Sequence, residues 1–230
     1  MKRACDRVGR DPNEVTLVGV SKAHPVETLE AGWRAGIRVF GENRIQEAEA
    51  KVERLPKDAE WHLIGPLQSN KVRRAVHLFS WIHSIDRMKI ARAVGREAAA
   101  TGRSLHCFLE VNLGAEGSKH GFSEASLLAE AENLAALESL QFVGLMAIPP
   151  RSPASQGPVA GSVAANASPR YWFQRLRKLR DQLAQMGTLR SFRGGLSMGM
   201  SGDFEVAIEE GATHIRVGTA LFGQRKRPQP

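Results

Sequence analysis

The stretch T-L-V-G-V-S-K-A-H-P-V-E-T-L-E-A-G-W-R-A-G-I-R-V-F-G, Thr16 to Gly41, holds a complete strand–helix–strand unit. Val15–Ser21 is a short apolar run with the length of a buried strand. Pro25 prevents it from continuing. Val26–Ala35 changes to helical spacing, with Leu29 and Trp33 four residues apart on one face. Val39–Gly41 is the next apolar run. A strand, a helical crossover and a second strand read as a parallel pair.

The same alternation continues outward to the C-terminus. Further strands are expected at Trp61–Gly65, Trp81–Ile85, Leu105–Val111, Phe142–Ile148, Leu196–Gly199 and Ile215–Val217. Helical patterns lie at Ile45–Leu55, Ser69–Leu78, Met88–Ala100, Ser123–Leu137, Tyr171–Met186 and Phe204–Glu210. Eight strands alternating with helices in 230 residues have the size of a single α/β domain, a (β/α)₈ or TIM barrel spanning residues 1–230. A doubly wound open sheet is the competing architecture. Against it, no G-x-G-x-x-G follows the first strand, and polar residues stand at the C-terminal end of nearly every strand. A barrel gathers those ends into one mouth. The Pro-, Gly-, Ser- and Ala-rich segment at about 149–169 has no periodicity and reads as a flexible loop after strand six. Residues 224–230 form a basic, Pro-containing tail.

Composition narrows the function classes. No apolar run reaches the ~18 residues of a membrane-spanning helix. The N-terminus M-K-R-A-C-D-R-V-G-R lacks the apolar core of a secretory signal. With that, two cysteines in no metal-binding spacing fit free thiols in a reducing cytoplasm. The seven histidines form no H-x-x-x-H pair, so no metal site is expected. The net charge of +8 raises a nucleic-acid reading. However, Arg170, Arg175, Arg177, Lys178 and Arg180 interleave with Phe173, Leu176, Leu179 and Leu183. That is a solvated face opposite an apolar stripe, and no aromatic array accompanies it for stacking bases. No specific nucleic-acid partner is expected.

The strand ends carry the chemistry. Strand one delivers Lys22, strand two Asn43, strand four Ser84 and Asp86, strand five Asn112 and strand six Met146. His62 lies inside strand three. Strand seven runs into S-M-G-M-S-G-D, Ser197 to Asp203, and strand eight into R-V-G-T-A, Arg216 to Ala220. Gly199 and Gly202, then Gly218, allow close backbone approach, and Ser201 and Thr219 add hydroxyls and N–H groups at helix starts. Such turns bind phosphate, and in barrels the loops after strands seven and eight often do so. Each turn also reads as an ordinary helix cap. Arg216 is either a barrel ion pair or a permanent cationic donor facing the pocket. An amine beside a phosphate cradle, with a donor on the third side, suits a phosphorylated aromatic aldehyde, since lysine amines form Schiff bases with carbonyls. Lys119 is the nearest competing lysine and reads as a solvated loop residue.

V-T-L-V-G-V-S-K, F-G-E-N, W-H-L-I-G-P-L-Q-S-N-K, H-S-I-D, G-L-M-A-I, L-S-M-G-M-S-G-D and R-V-G-T-A-L-F-G occur in this order. Together they closely resemble the pyridoxal phosphate homeostasis proteins, also called proline synthase co-transcribed homologues, over roughly residues 15–223. The resemblance implies a fold-type III barrel like the N-terminal domain of alanine racemase. It implies pyridoxal 5′-phosphate held as a covalent aldimine on Lys22, with Ser201, Gly218 and Thr219 at the phosphate and Arg216 facing the pyridine nitrogen. Asn43, His62, Ser84, Met146 and Ser197 would line the pocket. The implied role is buffering or delivery of the cofactor, with apo-enzymes as possible recipients and little or no turnover. Weak racemase-like activity on amino acids is the alternative. The only tyrosine is Tyr171, beside the loop, whereas alanine racemase draws its second base from an extra domain. Without such a dimerising domain, a monomer is expected. Two departures stand out: the segment before R-A-C-D-R-V-G-R is short for the family, and the 149–169 loop is long.

Overall fold

The structure is a computed structural model that describes residues 1–114, 120–150 and 168–224. The expected loop at 149–169 falls almost wholly outside the described residues, as do the tail beyond 224 and Lys119.

Eight strands form one closed parallel barrel: β1 (Thr16–Val20), β2 (Val39–Glu42), β3 (Glu60–Leu63), β4 (Trp81–Ile85), β5 (Leu105–Glu110), β6 (Leu140–Met146), β7 (Gly195–Ser197) and β8 (His214–Val217). Val18 of β1 is in register with Val39 of β2 on one side and Arg216 of β8 on the other. That second pairing closes the ring and settles the architecture against an open sheet.

The helices are α1 (Lys2–Asp6), α2 (Val26–Arg34), α3 (Ile45–Val52), α4 (Val72–Leu78), α5 (Met88–Ala100), α6 (Glu124–Ala129), α7 (Ala131–Ala135), α8 (Pro169–Met186), α9 (Phe204–Glu209) and α10 (Thr219–Phe222). The single helix expected over Ser123–Leu137 divides at Glu130, whose ψ of 2° lies outside α geometry. The helix expected from Ser69 opens as a 3₁₀ turn, Ser69–Lys71. Strand six begins earlier than expected, at Leu140, which is buried. α1 and α10 were not anticipated because five and four residues are too few to show a period.

Two apolar shells hold the barrel. Between sheet and helices lie Phe40, Ile82, Val94, Leu134, Leu145 and Phe173, all fully buried. Each contributes about 1.5–3 kcal/mol by leaving water. Inside the barrel, Val18, Val20 and Ile64 pack on one side, and Phe108, Val143 and Met146 on the other. The Trp81 ring stacks there between His62 and His106, at centroid separations of 5.1 and 4.4 Å.

The basic face of α8 is ion-paired. Arg170 meets Glu209 and Glu210, Arg177 meets Glu210 at 2.9 Å, and Arg175 meets Glu124 at 2.6 Å. The N-terminal segment packs on α9. Arg7 bridges Glu205 and Glu209, and the Arg10 guanidinium donates to the carbonyls of Ile208 and Ala212. Cys5 and Cys107 are free and buried, and burial pushes the Cys107 thiol up. Among the described residues, no helix is long and apolar enough to cross a membrane.

Candidate cofactor site

Side chains along a strand alternate between its two faces. Val18 and Val20 face the barrel interior. Lys22, two residues further on, stands in the turn that follows β1 and is half-buried. The backbone around it is fixed from both sides. Ser21 is fully buried, its hydroxyl donating to Glu42 at 2.7 Å, while Lys51 Nζ donates to Glu42 at 2.6 Å and to the Ser21 carbonyl at 2.9 Å. Burial pushes the Glu42 carboxyl up, and the bonds from Lys51 and Ser21 draw it back. On the other side Ala23 adopts φ 59°, and its N–H donates to Glu47 at 3.0 Å. A left-handed alanine costs roughly 1–2 kcal/mol, so the turn after Lys22 persists only because its surroundings enforce it.

The loops after β7 and β8 meet beside it. Gly199 has φ 91°, and a Cβ there would stand 2.5 Å from Ala207 Cβ, so glycine alone lets α9 start so close to β7. Met200 N–H donates to Asp203 at 2.6 Å. The Ser201 hydroxyl accepts from the N–H groups of Gly218 and Ala220, each at 3.3 Å, which stitches the two loops together. A Cβ on Gly218 would stand 3.2 Å from the Val20 carbonyl. The β8 loop therefore lies directly against the end of β1, beside Lys22. Thr219 is exposed at the first turn of α10.

Arg216 forms the inner wall. It is buried, with its guanidinium donating to the Ser197 hydroxyl at 2.6 Å and to the Ala147 carbonyl at 3.0 Å. Burial lowers it to about 10, with Glu110 and Asp203 opposing, so it is cationic at neutral pH. Glu110, at the end of β5, faces the same interior. Burial, helped by Asp86, pushes its carboxyl up to about 7, and Arg216 restrains the rise. A cavity of about 240 Å³ beside it is lined by Asn43, Ile64, Glu110, Asn112, His120 and Ile148. Asp86 is buried and pairs with Arg87 and, at 3.2 Å, with His120.

The expected pocket residues fall into two groups. Lys22, Asn43, Ser201, Gly218 and Thr219 stand around the mouth, with Arg216, Ser197 and Met146 at its floor. His62 and Ser84 are engaged elsewhere. His62 sits one layer deeper, its Nδ1 3.0 Å from His83 Nε2, and Ser84 donates to the Gly65 carbonyl at 2.6 Å. Tyr171 is exposed on α8 with its ring against Trp172. Glu42, Lys51, His83 and Glu110 were not singled out from the sequence. Strand alternation points to Glu110, since Phe108 and Glu110 share a face. Among the described residues, no group of three or more His, Cys, Asp or Glu side chains is placed to hold a metal ion.

The model of the alanine racemase N-terminal domain family matches residues 3–226. The pyridoxal phosphate homeostasis protein of Pseudomonas aeruginosa is 42% identical over 233 residues, which cover 100% of this chain and 93% of that protein. The chain belongs to the pyridoxal phosphate homeostasis protein family. Its relative in Aquifex aeolicus is 40% identical, covering 98% and 94% of the two chains, and that of Escherichia coli K12 is 38% identical, covering 96% and 91%. Among solved structures, PipY of Synechococcus elongatus with PLP bound superposes with a TM-score of 0.78 at 41% identity, covering 96% of this chain and 99% of PipY. Alanine racemase of Clostridium difficile matches at a TM-score of 0.69 and 15% identity, covering 99% of this chain and 56% of the racemase, a likeness of fold.

Proposed function

We propose that this chain binds pyridoxal 5′-phosphate in the barrel mouth and serves cofactor homeostasis, buffering or delivering it with little or no turnover. Lys22 Nζ would condense with the aldehyde carbon, releasing water and forming a Schiff base. Ser201, Gly218 and Thr219 would hold the phosphate. Asn43, Met146 and Ser197 would line the ring, while His62 would support the wall from its deeper place and Ser84 through its bond to the Gly65 carbonyl. The observation that carries this reading is Arg216. It is a buried guanidinium on the pocket floor, anchored to Ser197 and Ala147, within reach of loops that cluster backbone N–H groups. Bound pyridoxal phosphate supplies an electron sink, whose strength depends on protonation of its ring nitrogen. Arginine donates a hydrogen bond to that nitrogen but keeps its own proton even at a value of about 10, which favours holding the cofactor over using it. The location would be the cytoplasm, the molecule a monomer, and apo-enzymes that need the cofactor its recipients.

The purified protein should show the visible band of a lysine Schiff base, and borohydride should fix the adduct at position 22. Lys22→Ala should lose both. A full-strength band in Lys22→Ala, with no trapped adduct at position 22 in the wild type, would refute the assignment.

A second reading, weak racemase-like chemistry, has Glu110 in its favour. This half-buried carboxyl, near neutrality, faces the same mouth as Lys22 and could exchange a proton there. Steady turnover of a D- or L-amino acid, lost in both Lys22→Ala and Glu110→Gln, would establish it.

A further inference from the structure

A file of polar side chains crosses the barrel interior from the mouth to its foot. Arg216 Nη1 lies 2.6 Å from Ser197 Oγ, Ser197 Oγ 2.7 Å from His83 Nδ1, and His83 Nε2 3.0 Å from His62 Nδ1. All four residues are buried. The far ring nitrogen of His62, Nε2, has no hydrogen-bond partner and stands 3.7 Å from the carboxylate of Glu60, the first residue of β3. Glu60 is partly exposed at the foot of the barrel, and its other oxygen accepts from the Trp81 indole at 2.5 Å.

The direction of every proton in this file follows from its foot. A neutral imidazole has one N–H and one lone pair. A lone pair on His62 Nε2 would face an anion and be repelled, whereas an N–H there is attracted to it. His62 is therefore protonated at Nε2, and its Nδ1 must accept. His83 Nε2 then donates to it, which leaves His83 Nδ1 as an acceptor. Ser197 consequently gives its own hydroxyl proton to His83 and accepts from Arg216. The protons point from Arg216 down to Glu60, and Ser197 has none left for the mouth. Both histidines stay neutral, as their depressed values require. Burial lowers His62 and His83, and Glu60 opposes this at His62.

We propose that Glu60 and His83 are positioning residues of the cofactor site: Glu60 fixes the proton direction along His62, His83 and Ser197, and so reserves Arg216, rather than Ser197, as the donor to a ring nitrogen in the mouth. With the direction reversed, His83 Nδ1–H would donate to Ser197, whose freed hydroxyl proton could compete with the guanidinium for that nitrogen. The last step rests on the reading that pyridoxal phosphate lies against Arg216. The direction of the file does not.

Imidazole ¹⁵N NMR on histidine-labelled apo-protein tests the direction, with signals assigned through His62→Gln and His83→Gln. In the wild type both rings should show a protonated Nε2 and an unprotonated Nδ1. Glu60→Lys, a donor-only group at the foot, should reverse both, and Glu60→Gln, which can either donate or accept, should populate both forms. A protonated Nδ1 on wild-type His83, or unchanged rings in Glu60→Lys, overturns the proposal. If Glu60→Lys does not fold, the wild-type tautomers and Glu60→Gln decide it. On the loaded protein, Glu60→Lys should shift the visible maximum while borohydride still fixes the cofactor at Lys22. Reversed rings with an unmoved maximum overturn the link to the site. A wild type with no visible band overturns the cofactor reading and that link together, and leaves the tautomers to be judged on the apo-protein.

Discussion

Glu110 shows how one residue's chemistry is made by its surroundings. On a solvated strand end it would be an ordinary carboxylate. Here burial and Asp86 raise it to about 7. A folded-state value above the unfolded one means that the fold binds this proton more tightly than the unfolded chain does. The associated stability is present below about 4.5 and is lost as pH rises through about 7. In denaturant titrations of the apo-protein, Glu110→Gln should match the wild type near pH 4 and exceed it by up to about 3 kcal/mol near pH 8. Equal pH profiles for the two proteins would show that this carboxyl is solvated. Lys22 is a candidate in the sequence because a lysine that ends a buried strand is conspicuous. The raised carboxyl of Glu110 was not, because it depends on groups from β4 and β8 that only the closed ring brings near. His83 was hidden for a local reason. The β4–β5 register shifts between Ile82 and Ile85, so alternation alone did not decide whether His83 or Ser84 points inward.

At the scale of elements, the joint between β7 and α9 determines whether the two N–H loops can meet. Gly199 and Gly202 look equivalent in M-G-M-S-G-D, but their surroundings differ. A Cβ at 199 meets Ala207 at 2.5 Å in a left-handed backbone, whereas nothing lies within 4 Å of a Cβ at 202. Gly199→Ala should cost about 2–3 kcal/mol by thermal or chemical unfolding and weaken pyridoxal phosphate retention. Gly202→Ala should be close to neutral in both. Equal effects would mean that the joint does not position the loops. The order of strands and helices was readable along the whole chain because hydrophobic period survives loss of context. Element ends were less so. The break at Glu130 and the 3₁₀ start at Ser69 depend on backbone geometry that periodicity does not encode.

At the scale of the molecule, the barrel's interior is unusually polar. His62, His83 and His214 all have depressed values, His214 falling to about 3, chiefly through burial. A base whose folded value lies below its unfolded one contributes stability above about 6.5 that is lost as pH falls toward the folded value. In a Glu110→Gln background, which removes an opposing carboxyl, unfolding free energy should drop between pH 6.5 and 5 by on the order of 1 kcal/mol per pH unit through His214, with His62 and His83 acting in the same direction. A flat profile over that window would show that the interior admits water. The net charge, by contrast, has little structural meaning here, because the arginines of α8 are largely answered by acids on α6 and α9.

The pairing of β1 with β8 has a consequence for synthesis. Lys22 stands on one side of that seam, and Arg216, Gly218 and Thr219 on the other, so with the proposed site β1 and β8, far apart along the chain, would have to meet before the cofactor had a place to sit. A nascent chain lacking β8 leaves one edge of β1 without its partner and, with the proposed site, would not load. Once the ring has closed, a ligand held as proposed, between Lys22 and the β8 loop, would span the joint like a clasp. Opening the barrel at its seam would then require releasing the cargo, so occupancy and barrel integrity should rise and fall together.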